Sequence, residues 1–187
     1  MRKRFIDKNT KAEVEGNIKL SKAKWRDIGK IYGLSLKNRI RLRKFARVEA
    51  ECLNFGSVEP AVVVCTSPLL VAVYSEDMDA VLILQFAPAY KEKYNLKVGD
   101  KLISVNTYGN QGPIAKDIFT GPAYTQVWTD FTPHIADFLS NDKERLERLK
   151  GDIVETHWEY VKSLGGKYIY NHPTTTRNGF WFINKRL

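Results

Sequence analysis

Residues 61–86, AVVVCTSPLLVAVYSEDMDAVLILQF, constrain the fold of this chain more than any other stretch. Three apolar runs rich in β-branched residues, 61–66, 69–74 and 80–86, are separated by Ser67-Pro68 and by the polar turn 75–79. Runs of six or seven such residues between turn signals read as strands, and their near-continuous apolarity points to a sheet covered on both faces. A chain with this segment must place helices or further strands over that sheet.

The flanking sequence supplies them. Residues 87–94 read as a short helix or loop, and LKVGDKLISV (96–105) sets a Gly-Asp turn between apolar runs, a pattern frequent in small β-barrels and sandwiches. Residues 106–131 are irregular and rich in Gly, Pro, Thr and aromatics, which predicts either a functional loop or several short strands. Thr132 is expected to cap a helix with Pro133 at its first position. A longer helix is expected over 142–164, with Leu146, Leu149, Ile153, Trp158, Val161 and Leu164 as its core face. Gly151 would kink or divide it and Gly165-Gly166 would end it. The chain is then expected to close with a hairpin, KYIY and FWFINKRL joined by NHPTTTRNG.

Charge is distributed unevenly. Residues 1–47 hold sixteen Lys/Arg and four Asp/Glu, whereas residues 48–187 hold fourteen and seventeen, so the first quarter carries more than the whole excess of +9. Such asymmetry implies a polyanionic partner, nucleic acid before an acidic membrane or protein surface. Within the basic quarter there is periodic structure. Ser21 can cap a helix bearing Trp25, Ile28 and Tyr32 on one face, and Gly33 can stop it in a positive-φ conformation, with Leu34 packing back. Ser35 can cap a second helix running to about Asn54, with Gly56 as its terminator. Leu42, Phe45, Ala46, Cys52 and Leu53 share one arc of that helix, with Glu49 set awkwardly among them.

WRDIGKIYGLS (25–35) resembles the first helix and turn of bacterial helix-turn-helix proteins, with Gly29 as the small residue facing the partner helix and Gly33 as the turn glycine. The resemblance covers residues 20–48. It departs where the family pattern has an apolar residue six positions after the turn glycine, which here is Arg39, with Ile40 next. The turn is therefore one residue longer or the packing differs. What the resemblance implies is a second helix that reads duplex DNA, and the residue types fit. Lys37, Arg41 and Lys44 lie along one side of it and Arg39, Arg43 and Arg47 along another, as phosphate or base-edge contacts, with Asn38 as the amide for adenine.

The expected architecture is thus α+β. A basic N-terminal helical module (1–55), helix-turn-helix-like, precedes a β-rich barrel- or sandwich-like domain (57–187) with a C-terminal helix and terminal hairpin. Two cysteines, Cys52 and Cys65, form no disulfide framework or metal motif, which fits a reduced, cytoplasmic setting. MRKR is followed by no apolar h-region, and the longest apolar run (58–74) is broken by Pro60, Thr66, Ser67 and Pro68, so neither a signal peptide nor a membrane span is expected.

Candidates for chemistry are sparse. Glu76, Asp77 and Asp79 crowd one turn and offer oxygen ligands for a hard cation, although acids are ordinary turn residues. His134 and Asp137 are spaced as a base and its orienter on a helix. His157 between Glu155 and Glu159 reads as a partly exposed helix histidine. His172, Thr174–176 and Arg177 form a donor-rich loop suited to phosphate or to a minor-groove wing. The aromatics Tyr168, Tyr170, Phe180, Trp181 and Phe182 could stack on bases, but alternation favours the core. No nucleophile elbow, phosphate loop or dinucleotide fingerprint occurs, and no cofactor is implied.

Three functions are compatible with this text. The first is a bacterial or phage DNA-binding regulator whose β-rich part senses a ligand or mediates assembly, including as a homo-oligomer. The second is an interaction protein docking on an acidic protein or RNA. The third is a metal-dependent enzyme acting on nucleic acid.

Overall fold

In a computed structural model, which describes residues 14–172 and 175–183, the chain is a mixed α+β fold. A helical pair precedes a curled antiparallel sheet, and a long helix follows it. The pair is α1 (Lys22–Ile31) and α2 (Leu36–Phe55). Ser21 and Ser35 cap them as expected, accepting from the backbone N–H of Lys24 (3.3 Å) and Asn38 (3.4 Å). Gly33, with φ of 56°, makes the turn between them.

The sheet is built from β1 (Ser57–Thr66), β2 (Leu69–Ser75), β3 (Ala80–Phe86), β4 (Lys101–Gly109), β5 (Phe119–Thr120) and β6 (Asp130–Ile135), in the order β5-β3-β2-β1-β4-β6. All these neighbours are antiparallel, and β1 carries an irregularity between Val63 and Cys65. The helices α3 (Ala89–Tyr94), α4 (Ala136–Leu139), α5 (Lys143–Asp152) and α6 (Glu155–Asn171) complete the chain, with a two-residue β7 (Arg177–Asn178) parallel to β3.

Helix α6 packs across β1, β2 and β3. Ile83 and Ala72 are opposite each other in the ladder and face it. By strand alternation Phe86 faces the other way, into an aromatic cluster with Tyr90, Phe138 and Phe180 at ring separations of 4.9–5.7 Å. Tyr32, just after α1, joins that cluster, 5.8 Å from Phe180. One apolar core therefore runs from Trp25, Ile28, Leu42 and Leu53 into the sheet. At the junction, Gly56 caps α2 where the chain passes so close to β4 that a Cβ would lie 2.6 Å from Val105 and 2.7 Å from the Asn106 carbonyl.

Several local expectations give way to tertiary packing. Thr132 and Pro133 do not start a helix but lie in β6, at the sheet edge where a proline costs least. The helix expected over 142–164 is two helices, divided at Ile153–Val154 just beyond Gly151. Gly165-Gly166 does not end α6. Gly165 is where the helix comes closest to the sheet, since a Cβ there would stand 2.5 Å from that of Ala72. Residues 167–170, expected as the first strand of a terminal hairpin, continue α6 instead, and 179–183 form a bend and turn whose Phe180 enters the core.

Candidate nucleic-acid interface

Helix α2 has two halves with different surroundings. Its second half is anchored, with Glu49, Cys52 and Leu53 buried, while in its first half only Leu42 is. All seven expected contact residues, Lys37, Asn38, Arg39, Arg41, Arg43, Lys44 and Arg47, are exposed on the first three turns. No acidic residue occurs between Asp27 and Glu49, and Glu49 faces inward. Lys37, Arg43 and Lys44 make no ion pair among the described residues, whereas Arg47 pairs with Glu51 at 3.3 Å. Leu36 (77% exposed) and Ile40 (50%) stand out among the cations.

Arg39 explains the departure from the helix-turn-helix pattern at its position. Its stem packs on Gly29, where a Cβ would come within 3.3 Å of Arg39 Cγ, and its Nε donates to the Leu34 carbonyl at 2.9 Å. The aliphatic part of the arginine thus covers the turn while the guanidinium stays accessible. Gly29 lets the two helices approach at that point.

Beside this face lies a groove of about 160 Å³ between α2 and the C-terminal segment, lined by Leu34, Asn38, Arg41, Phe45, Phe182 and Ile183 among others. The Arg41 guanidinium is 5.8 Å above the Phe45 ring, and that ring stacks on Phe182 at 6.1 Å.

The inward-facing Glu49 is held from two directions. Its Oε1 is 2.8 Å from Nδ1 of His134 in β6, and its Oε2 accepts from Nε1 of Trp181 at 2.8 Å. Burial alone would lower the His134 pKa, but the Glu49 carboxylate and the neighbouring Cys52 thiol outweigh it and hold the imidazole in its charged form. Nε2 of His134 has no hydrogen-bond partner among the described residues. The buried pair fixes α2 to the far edge of the sheet and so sets where its basic half projects.

The other candidates are accounted for structurally. His134 lies on β6 and pairs with Glu49, not Asp137. Asp137 instead meets Lys150 (2.8 Å) and accepts from the Ile103 N–H (2.7 Å). The Asp79 carboxylate is occupied by the hydroxyls of Tyr74 and Tyr160, both at 2.9 Å, and by the Ala123 N–H at 2.7 Å. Both of its oxygens are thus already engaged within the fold. Among the described residues no group of three His, Cys, Asp or Glu side chains is arranged to hold a metal ion. His157 is partly exposed on α6, and the His172 ring rests against Tyr168 and Phe119. Of the loop expected around His172, residues 173 and 174 lie outside the described residues. Arg177 is committed to the fold, bridging Asp117, Asp130 and the Phe131 carbonyl. Tyr168 and Phe180 are buried, but on a helix and in a bend and not by the strand alternation expected, while Tyr170 is exposed on α6 and Trp181 is 39% exposed.

Sequence reading missed a second buried acid. Glu59 of β1 accepts from the Tyr108 hydroxyl at 3.2 Å, and Tyr108 accepts from Ser75 Oγ at 3.2 Å. Desolvation pushes the Glu59 carboxyl up to about 8, so it is held neutral over much of the physiological range. The available signal was a charged residue amid the apolar β1 run, opposite a strand with polar residues at alternate positions, Ser104, Asn106 and Tyr108.

Among the described residues no helix is long and apolar enough to cross a membrane. No family model matches this chain, and neither a curated protein nor a solved structure matches it.

Proposed function

We propose that the protein binds nucleic acid, duplex DNA in the first instance, through the exposed first half of α2. One observation carries this reading: a helical face bearing Lys37, Arg39, Arg41, Arg43 and Lys44, all exposed and with no acid among them, followed by Arg47 paired to Glu51, on a helix whose other half is locked in the core. Rigid anchoring lowers the entropy lost when such side chains meet phosphates, and guanidinium groups can fork onto phosphate or guanine. Lys37, Arg41 and Lys44 would track one backbone strand, while Arg39, Arg43 and Arg47 would follow the other side. Asn38 is free to meet a base edge.

The test is fluorescence anisotropy of a labelled random-sequence duplex with the full chain, across a salt series. Removal of residues 1–56 is unsuitable because Trp25, Ile28, Leu42 and Leu53 belong to the common core. The expected result is binding that weakens steeply with salt, log K falling against log salt with a slope of about −0.9 per phosphate neutralised. Arg43→Glu with Lys44→Glu should abolish it with the melting temperature little changed. Failure of the intact protein to bind duplex even at low salt would sink this reading and direct attention to an acidic protein partner.

A further inference from the structure

We propose that the groove beside α2 takes a single unpaired nucleobase, so that the protein favours nucleic acid carrying an unstacked nucleotide over continuous duplex. The inference rests on the α2 reading and adds the class of ligand that this site recognises.

The size of the groove sets the first limit. At about 160 Å³ it is well below the 300–1,000 Å³ typical of sites for drug-sized ligands, and it has room for little more than one ring system. Its walls are apolar, from Leu34, Phe45, Phe182 and Ile183, with the Arg41 guanidinium seated over the Phe45 ring at its rim.

Its rim is polar in the way a base requires. Asn38 lines the groove, and its side-chain amide, which has no partner among the described residues, offers both a donor and an acceptor. Arg41 also lines it and supplies a planar cation of the kind on which extruded bases stack. An aliphatic side chain of a protein partner would use the walls and leave the amide idle. Charge complementarity favours the polyanion too. Lys37, Arg41 and Lys44 run along the side of α2 that borders the groove, where the sugar-phosphate chain on either side of an extruded base would pass.

Three labelled oligonucleotides of one sequence test this with the full-length protein: a perfect duplex, a duplex with one bulged nucleotide, and the same bulge made abasic. The base-bearing bulge should bind at least about fivefold more tightly than either of the others, as expected for one stacked base. Ile183→Phe, which fills the groove, should erase that margin and leave perfect-duplex affinity unchanged. Equal affinity for all three, with a steep salt dependence, overturns the base site and leaves the α2 interface standing. An equal gain for both bulges also overturns it, since duplex flexibility then explains the preference. If no oligonucleotide binds at any salt, the parent reading has failed and the base site falls with it. An acidic peptide bound in their place would identify the groove as a protein dock.

Discussion

The carboxylate of Glu49 and the imidazole of His134 meet at 2.8 Å, 85 residues apart in the chain and both almost wholly buried. The pair joins the basic helix to the last strand of the sheet, and Trp181 closes it from the C-terminal segment. Breaking one side of a buried pair leaves an uncompensated charge, so Glu49→Ala should cost about 3–5 kcal/mol in a denaturant melt. A loss under about 1 kcal/mol would show that the pair is not structural.

The same pair predicts a pH dependence. The folded-state pKa of His134 is raised above its ordinary 6.5, to about 10. Its contribution is therefore complete below pH 6.5 and fades as pH rises through about 10, by at most about 1.4 kcal/mol per pH unit. Urea melts between pH 8 and 10, above the interval in which Glu59 ionises, should show this decline, and His134→Gln should flatten it there.

Glu59 should behave in the opposite sense on mutation. Its carboxyl is neutral in the fold up to about pH 8 but ionises near 4.5 when unfolded, so wild-type stability falls as pH rises through that interval. Glu59→Gln keeps a polar partner for Tyr108 and removes the ionisation. It should stabilise the protein by about 1–2 kcal/mol at pH 8 and have little effect at pH 4.5. Thermal melts at the two pH values distinguish this from a purely steric change.

Two adjacent glycines in α6 should differ. Gly165→Ala puts a methyl 2.5 Å from Ala72 Cβ and is expected to cost about 1–3 kcal/mol. Gly166→Ala meets no heavy atom within 4 Å and should be neutral or stabilising by up to about 1 kcal/mol. Equal effects in thermal melts would contradict the close helix–sheet approach.

Arg177 grips both oxygens of Asp117, at 2.8 and 2.5 Å, together with Asp130 and the Phe131 carbonyl. A lysine cannot reproduce that fork. Arg177→Lys should cost about 1–3 kcal/mol and speed hydrogen exchange at the backbone of residues 117–131.

What the sequence determined by itself was local. The three apolar runs became β1, β2 and β3, Ser21 and Ser35 became caps, Gly33 became the turn, and the cations of α2 stayed in water. Each outcome follows from residues within a few positions, because propensity, capping and solvation of a charge act at short range. The tertiary structure decided the rest. Nothing near Glu49 in sequence announces that His134 and Trp181 will receive it, so it reads as a flaw in an apolar face. Gly165 looks like a helix stop until Ala72 is placed against it. Pro133 looks like a helix start until β4 offers it an edge to pair with. Asp79 looks like a metal ligand until two tyrosine hydroxyls and the Ala123 N–H engage its two oxygens. In each case the deciding free energy is the desolvation of a polar group or the exclusion of a methyl, and it exists only once a distant segment has arrived.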